Sequence, residues 1–163
     1  MNPGNSFINI QQDFKEFLQL LDDFAVDYMI VGGYAVAFHG YARFTKDIDV
    51  FYDNAPENIL LLKSALKAFG FPNDQLNDDL FREEGTVIQF GYPPCQIDLL
   101  NRIDGVEYEA ARSRKILARF DGLQIAFIAK EDLMKNKQST PRLKDKADVE
   151  ELEKGNAGTT PTP

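Results

Sequence analysis

A chain of 163 residues is long enough for one domain with its own core, and 44% hydrophobic residues with 13 Phe place it among folded globules, not disordered chains. No apolar run approaches the roughly 20 residues that cross a bilayer, no basic-then-apolar leader opens the sequence, and the single cysteine, Cys95, excludes an internal disulfide and fits a reducing cytoplasm. The formal charge of -8 argues against tight nonspecific binding to a nucleic-acid backbone, although cations cluster at Arg112, Arg114, Lys115 and Arg119 and again between Lys130 and Lys146.

In chain order, apolar residues at Phe7, Ile10, Phe14, Phe17, Leu18, Leu21 and Phe24 recur every three or four positions, which predicts an amphipathic helix over 7–24. Tyr28 to Val31 is a short apolar run before two glycines and reads as a buried strand. Tyr34 to Phe38 is helical in composition, with Gly40 suited to its end. Asp47 to Tyr52 is a second strand. Asn54 and Pro56 open a helix that Gly70 closes after Phe69. The polar stretch 71–85 reads as a loop, Thr86 to Phe90 as a strand, Gly91-Tyr92-Pro93-Pro94 as a turn and Cys95 to Leu100 as a strand. A short helix is predicted from Gly105 to about Ser113. Asp121-Gly122 between Lys115–Phe120 and Leu123–Ile128 is a strong hairpin signal. A helix starts near Glu131. Thr140-Pro141 reads as a cap with proline at the first helical position, starting a last helix that runs to about Lys154. The Gly/Thr/Pro-rich residues 155–163 read as a disordered tail. This order gives a single α/β (α+β) domain over 1–154, a mixed twisted sheet flanked by helices.

Asp47-Ile48-Asp49 carries the chemistry. A strand alternates its faces, so Asp47 and Asp49 point one way while Ile48 and Val50 point the other. Two acids on one face repel unless a cation lies between them. An exposed edge strand can carry such acids for solubility alone. Against that, Ile48, Val50 and Phe51 suggest a core strand, where unpaired acids are costly, and Asp98 interrupts a second apolar strand between Ile97 and Leu99. Carboxylate oxygens suit Mg²⁺, and Gly32-Gly33 at a strand-to-helix junction offers backbone N–H groups to a phosphate chain. Together these read as a divalent-metal site beside a phosphate-binding turn.

The segment Gly32-Gly33-x-Ala35-x-x-x-His39-Gly40-x-x-Arg43-x-Thr45-x-Asp47-Ile48-Asp49-Val50 resembles the minimal nucleotidyltransferases of the DNA polymerase β superfamily, and most the abortive-infection, toxin-type branch. Asp98 matches the family's third acid. Lys137, Arg142, Lys144-Asp145 and Asp148 resemble the branch's second motif. The resemblance covers about residues 25–152 and implies a polymerase-β-like fold. It implies that Asp47, Asp49 and Asp98 hold two Mg²⁺ ions, or Mn²⁺, with Asp98 also helping to deprotonate the acceptor. It further implies that Gly32 and Gly33 hold a nucleoside triphosphate such as ATP, and that Lys137 and Arg142 neutralise phosphate charge while Asp145 orients a neighbour. Many superfamily members have Gly-Ser where this chain has Gly32-Gly33, which removes one hydroxyl, and Pro141 stands where the branch often has Gly.

Other positions remain open at this level. Arg43 suits either phosphate contact or pairing with a nearby acid. Thr45 sits two positions before Asp47 and can support the metal shell, or is an ordinary strand threonine. His39, the only histidine, fits an orienting role better than a general base. The cluster from Arg112 to Arg119 is either a solvated face or a surface for RNA. The implied reaction moves a nucleoside monophosphate to an acceptor, releasing pyrophosphate, in the cytoplasm. The acceptor can be tRNA, a protein hydroxyl or a small molecule. The alternatives are a nucleotide-binding or toxin–antitoxin interaction module with little catalysis, and a metal-dependent phosphohydrolase, for which one histidine is a poor fit.

Overall fold

The computed structural model describes residues 12–40, 45–91 and 96–158. The strands are β1 (Tyr28–Val31), β2 (Asp47–Tyr52), β3 (Val87–Phe90), β4 (Gln96–Leu100), β5 (Ile116–Phe120) and β6 (Leu123–Phe127). The helices are α1 (Gln12–Asp23), α2 (Gly32–Phe38), α3 (Pro56–Phe69), α4 (Asp78–Arg82), α5 (Tyr108–Arg112), α6 (Lys130–Gln138) and α7 (Leu143–Gly158). The strands form one mixed sheet in the order β3-β4-β2-β1-β6-β5. The pairs β2–β4 and β1–β6 are parallel and the other three are antiparallel.

The core follows from two periodicities. Helix α1 buries Phe14, Phe17, Leu18 and Leu21, one face at spacings of three and four, and packs on α3 and β6. Strand β1 is buried along its whole length, as its central place in the sheet requires. Strands β2 and β4 alternate: Ile48, Val50, Ile97 and Leu99 are buried on one face, and Asp47, Asp49 and Asp98 are half-buried on the other. The predicted boundaries of α3 hold, with Pro56 in its first turn and Gly70 left-handed at its end. The β5–β6 hairpin turns through Asp121 (φ 52°) and Gly122 (φ 81°), the backbone that a two-residue turn of type I′ demands.

Three expectations change. Residues 71–85 are not all loop: a 3-10 turn spans Asn73–Gln75, and α4 follows, capped by Asn77, whose side chain accepts the Asp79 N–H at 2.9 Å. Phe81 anchors α4 with no exposed surface; a single apolar anchor among acids leaves no period to read. The last helix begins at Leu143, two residues beyond Pro141, and the Thr140 hydroxyl donates to Asp145 at 2.5 Å, with the Lys137 carbonyl 3.3 Å away, instead of capping a helix that starts at Pro141. That helix also runs past Lys154 to Gly158. Residues 7–11, the turn residues Tyr92–Pro94, Cys95 and residues 159–163 lie outside the described residues.

The open question over Arg112, Arg114 and Lys115 resolves into ion pairs. Arg112 bonds Asp27 at 2.8 Å and Asp53 at 2.5 Å, Lys115 bonds Asp27 at 2.7 Å, and Arg114 forks onto Asp132 with two bonds of 2.9 Å. Against the upward pull of burial, Lys115, Tyr108 and Arg112 hold the Asp27 carboxyl below its ordinary range. Among the described residues no helix is long and apolar enough to cross a membrane.

The buried anchor of α4 gives a direct check. We expect Phe81→Ala to lower the unfolding free energy by about 3–5 kcal/mol in urea titrations; a loss below about 1 kcal/mol would mean that residues 78–82 form no packed element.

Candidate active site

The parallel register of β2 and β4 pairs Asp49 with Asp98 and Asp47 with Gln96. Neighbouring strands lie about 4.8 Å apart, so the carboxyls of Asp49 and Asp98 stand side by side on one face. Gln96 Nε2 donates to Asp98 Oδ1 at 3.0 Å. Burial pushes the Asp49 carboxyl up, Asp98 and then Asp47 push it further, and Lys137 opposes them, so that it reaches about 7. Burial and the charge of Asp98 also raise Asp47, against Lys46 and Lys144.

Among the described residues, no group of three or more His, Cys, Asp or Glu side chains is gathered tightly enough to form a ready metal shell. The donor set nevertheless fits Mg²⁺, which takes carboxylate oxygens. Burial and the neighbouring acids hold the Asp49 carboxyl toward its protonated form, and a divalent cation placed among them would favour the ionised form that ligating carboxylates need.

The glycine pair is packed against these acids. Gly32 has φ +68°, and a Cβ there would lie 2.0 Å from Asp49 Oδ2, so both the backbone and the space demand glycine. At Gly33 a Cβ would meet Thr45 Oγ1 at 2.7 Å. Helix α2 starts at Gly32, and Val31 before it supplies no side-chain cap, which leaves first-turn N–H groups without an intrahelical acceptor. The Thr45 hydroxyl donates to the Asp47 carbonyl at 3.2 Å and braces the approach to β2.

Helices α6 and α7 bring the second group of predicted residues. Lys137 is buried, with Nζ 2.9 Å from Asp145 and 3.3 Å from Asp148. Arg142 Nε reaches Asp145 Oδ2 at 2.9 Å from a side chain that is 74% exposed. Against the upward pull of burial, hydrogen bonds from Thr140 and Lys137 and the charge of Arg142 hold Asp145 below the ordinary carboxylate range. The Lys137 ammonium is therefore committed to two acids, whereas Arg142, among the described residues, is bound on one side only.

One cavity of about 950 Å³ joins the two groups. Gly32, Gly33, Thr45 and the three acids line it, as do Lys137, Thr140, Arg142 and Asp145. Arg43 lies outside the described residues. Sequence reasoning passed over Lys46, Arg102 and Asn136, which also line the cavity; exposed cations and a lone amide have no periodicity to mark them. Lys144, another lining residue, stood inside the second motif without a role. His39 is not on the cavity wall: its Nε2 donates to the Ile128 carbonyl at 2.7 Å, and burial pushes its pKa down, in keeping with an orienting role.

Comparison with known proteins gives the family and the fold. Residues 5–154 match the family described as nucleotidyltransferase of unknown function (DUF6036), and the chain belongs to that family. A Thermotoga maritima protein provisionally described as a nucleotidyltransferase has a similar structure, with a TM-score of 0.53 and 15% identity, over 90% of this chain and 91% of that one. An antigenic nucleotidyltransferase-like protein from Paracoccidioides brasiliensis gives a TM-score of 0.52 and 15% identity, over 94% of this chain and 80% of that one. The fold is thus that of the nucleotidyltransferases. No curated protein matches the chain.

Two measurements follow from the charges. The folded-state pKa of Asp49, about 7, lies above the unfolded value near 3.9. Between those values the folded chain keeps a proton that the unfolded chain has released, so this contribution to stability is lost as pH rises through that window. We expect metal-free Asp49→Asn to gain on the wild type between about pH 4 and 7, by up to about 4 kcal/mol, and to level off above. Added Mg²⁺ should narrow the difference at neutral pH. A difference independent of pH would refute the raised carboxyl. Separately, Lys137→Met should cost about 3–5 kcal/mol in the same assay, because Asp145 and Asp148 would stay buried without their cation; a cost near zero would show that Lys137 is free for a ligand.

Proposed function

We propose that this member of the nucleotidyltransferase family moves a nucleoside monophosphate from a nucleoside triphosphate, such as ATP, to an acceptor, with release of pyrophosphate. The observation that carries the proposal is the register of Asp49 with Asp98, with Asp47 on the same face and Gly32 packed against Asp49. Asp47, Asp49 and Asp98 would hold Mg²⁺ or Mn²⁺, which supplies charge stabilisation for the attacking and leaving oxygens.

The chain's own residues do the rest. Gly32 and Gly33 present N–H groups and no side chain, so a phosphate can approach the backbone closely. Asp98, beside a neighbouring carboxylate, is suited to take the proton of an acceptor hydroxyl. Arg142, mostly exposed and held at one side by Asp145, offers its remaining N–H groups to the triphosphate. Lys137, fixed between Asp145 and Asp148, holds α6 against α7 and so positions Arg142. Catalysis of this kind is mostly positioning and electrostatics. The cluster of Lys137, Arg142, Asp145 and Asp148 also supports a finer assignment to the abortive-infection, toxin-type branch, acting in the cytoplasm with a cognate toxin–antitoxin partner.

The test is incubation of the purified chain with Mg²⁺ and each α-labelled nucleoside triphosphate, together with total RNA, cell protein or a small-molecule fraction. Label should enter one acceptor fraction and fall about a hundredfold or more in Asp47→Asn. Equal labelling by Asp47→Asn would remove the acid site from the mechanism. Absence of both labelling and Mg²⁺-nucleotide binding would leave an interaction module in its place.

A further inference from the structure

We propose that Arg102 binds a phosphate carried by the acceptor, so that the substrate receiving the nucleotide is itself a phosphate-bearing molecule; this rests on the transferase reading above and concerns the part of the same cavity which that reading leaves unassigned.

The sheet order separates two ends of the cavity. Gly32 and Gly33 follow β1, the acid pair lies on β2 and the third acid on β4, while Gly85 lies just before β3, at the far edge. A triphosphate held at the glycines therefore occupies the β1 side, and the acceptor comes to Asp98 from the β4–β3 side. Arg102 is on that side, two residues beyond β4 and at most about 13 Å of chain from Asp98. A span of that size is within reach of a second group on a molecule whose hydroxyl lies at Asp98.

The cations of the cavity differ in what they already hold. Lys137 and Arg142 are bonded to Asp145, and the charges of Lys46 and Lys144 act on Asp47. Arg102 lines the same cavity, is exposed, and has neither hydrogen bond nor ion pair with any described residue. Its planar fork of N–H donors matches phosphate oxygens better than a lysine would.

The backbone that carries it is held from two sides. Asn101, buried, accepts the Gly85 N–H at 2.9 Å and donates to the carbonyls of Phe81 at 3.1 Å and Glu83 at 3.0 Å. Asn136 donates to the Asp104 carbonyl at 2.9 Å, and Gly105, with φ +78°, packs so closely on α6 that a Cβ would lie 2.1 Å from Ser139 Oγ. An unpaired guanidinium on a braced segment of a cavity wall is preorganised for an anion. The competing charge is Asp104, which lines the same cavity and repels a phosphate there.

The experiment is calorimetric titration of the full chain, with Mg²⁺ and α,β-methylene ATP present, by a nucleoside, a nucleoside 5′-monophosphate and a 5′-phosphorylated dinucleotide. The two phosphorylated compounds should bind and the nucleoside should not. Arg102→Gln should weaken them about tenfold or more, Arg102→Lys less, and Asp104→Asn should tighten them, with the affinity for the ATP analogue unchanged in Arg102→Gln. A preference for the dinucleotide points to a strand terminus, and equal binding to a small phosphorylated acceptor; both support the inference. It is overturned if neither phosphorylated compound binds, if Arg102→Gln leaves their affinity unchanged, or if that variant loses the ATP analogue instead. Labelling of cell protein that is indifferent to Arg102→Gln overturns it as well. Failure of the analogue to bind wild type, with phosphate binding still lost in Arg102→Gln, would sink the transferase reading and leave the anion subsite standing.

Discussion

Two carboxyls side by side on parallel strands, Asp49 and Asp98, are a repulsion that the rest of the fold has to contain. What contains it is burial on the opposite face. Ile48, Val50, Ile97 and Leu99 are almost wholly buried, and the period of two along a strand then fixes the acids on the other side. A slip of one residue in the β2–β4 register would move the aspartate away from its partner, and rotation of either strand would bury acids and expose the aliphatic set. The apolar core thus sets the geometry of the polar face, and the crowding of the acids is the cost of that arrangement. Gly32, with its backbone against Asp49, shows how little room is left.

The cations sort themselves by the acids they answer. Arg112, Arg114 and Lys115 pair with Asp27, Asp53 and Asp132, so this part of the basic cluster, which the sequence left open between a solvated face and a surface for RNA, braces the residues around β1, β2, α5 and α6. Lys137 is used up by Asp145 and Asp148, within the wall between α6 and α7. A buried lysine between two aspartates contributes order more than net stability. Its effect on the cavity is indirect: it keeps Asp145 ionised and in place, and Asp145 in turn holds one side of Arg142. The cations left for a ligand are the exposed ones, Arg142, Lys46, Lys144 and Arg102, and they surround the acid face from different elements.

What the sequence made legible was whatever depends on near neighbours. Asp47-Ile48-Asp49 could be placed on one face because strand geometry has a period of two, and Asp98 stood out as an acid between Ile97 and Leu99. Proline and glycine marked both ends of α3, and Asp121-Gly122 marked the hairpin, because those residues act through their own backbones. Helix α4 escaped because its only full anchor, Phe81, sits among Asp78, Asp79, Arg82 and Glu83. Thr140 was misread as a cap because its partner, Asp145, becomes its neighbour only once the chain turns between α6 and α7. The two ion pairs of Lys137 were hidden for the same reason: Asp145 and Asp148 are 8 and 11 positions further on.

The glycine pair shows how one substitution can be answered elsewhere in the same site. A serine at position 33, the residue common in the wider superfamily, would have to begin its side chain 2.7 Å from Thr45 Oγ1. Thr45 already fills that space, so the hydroxyl that Gly33 lacks is present from the other side of the turn, two residues before the acid strand. It now donates to the Asp47 carbonyl over a rather long 3.2 Å, and a hydroxyl is free to rotate toward a better acceptor. The two positions therefore compete for the same space: with Thr45 in this place, a side chain at 33 requires the threonine to shift.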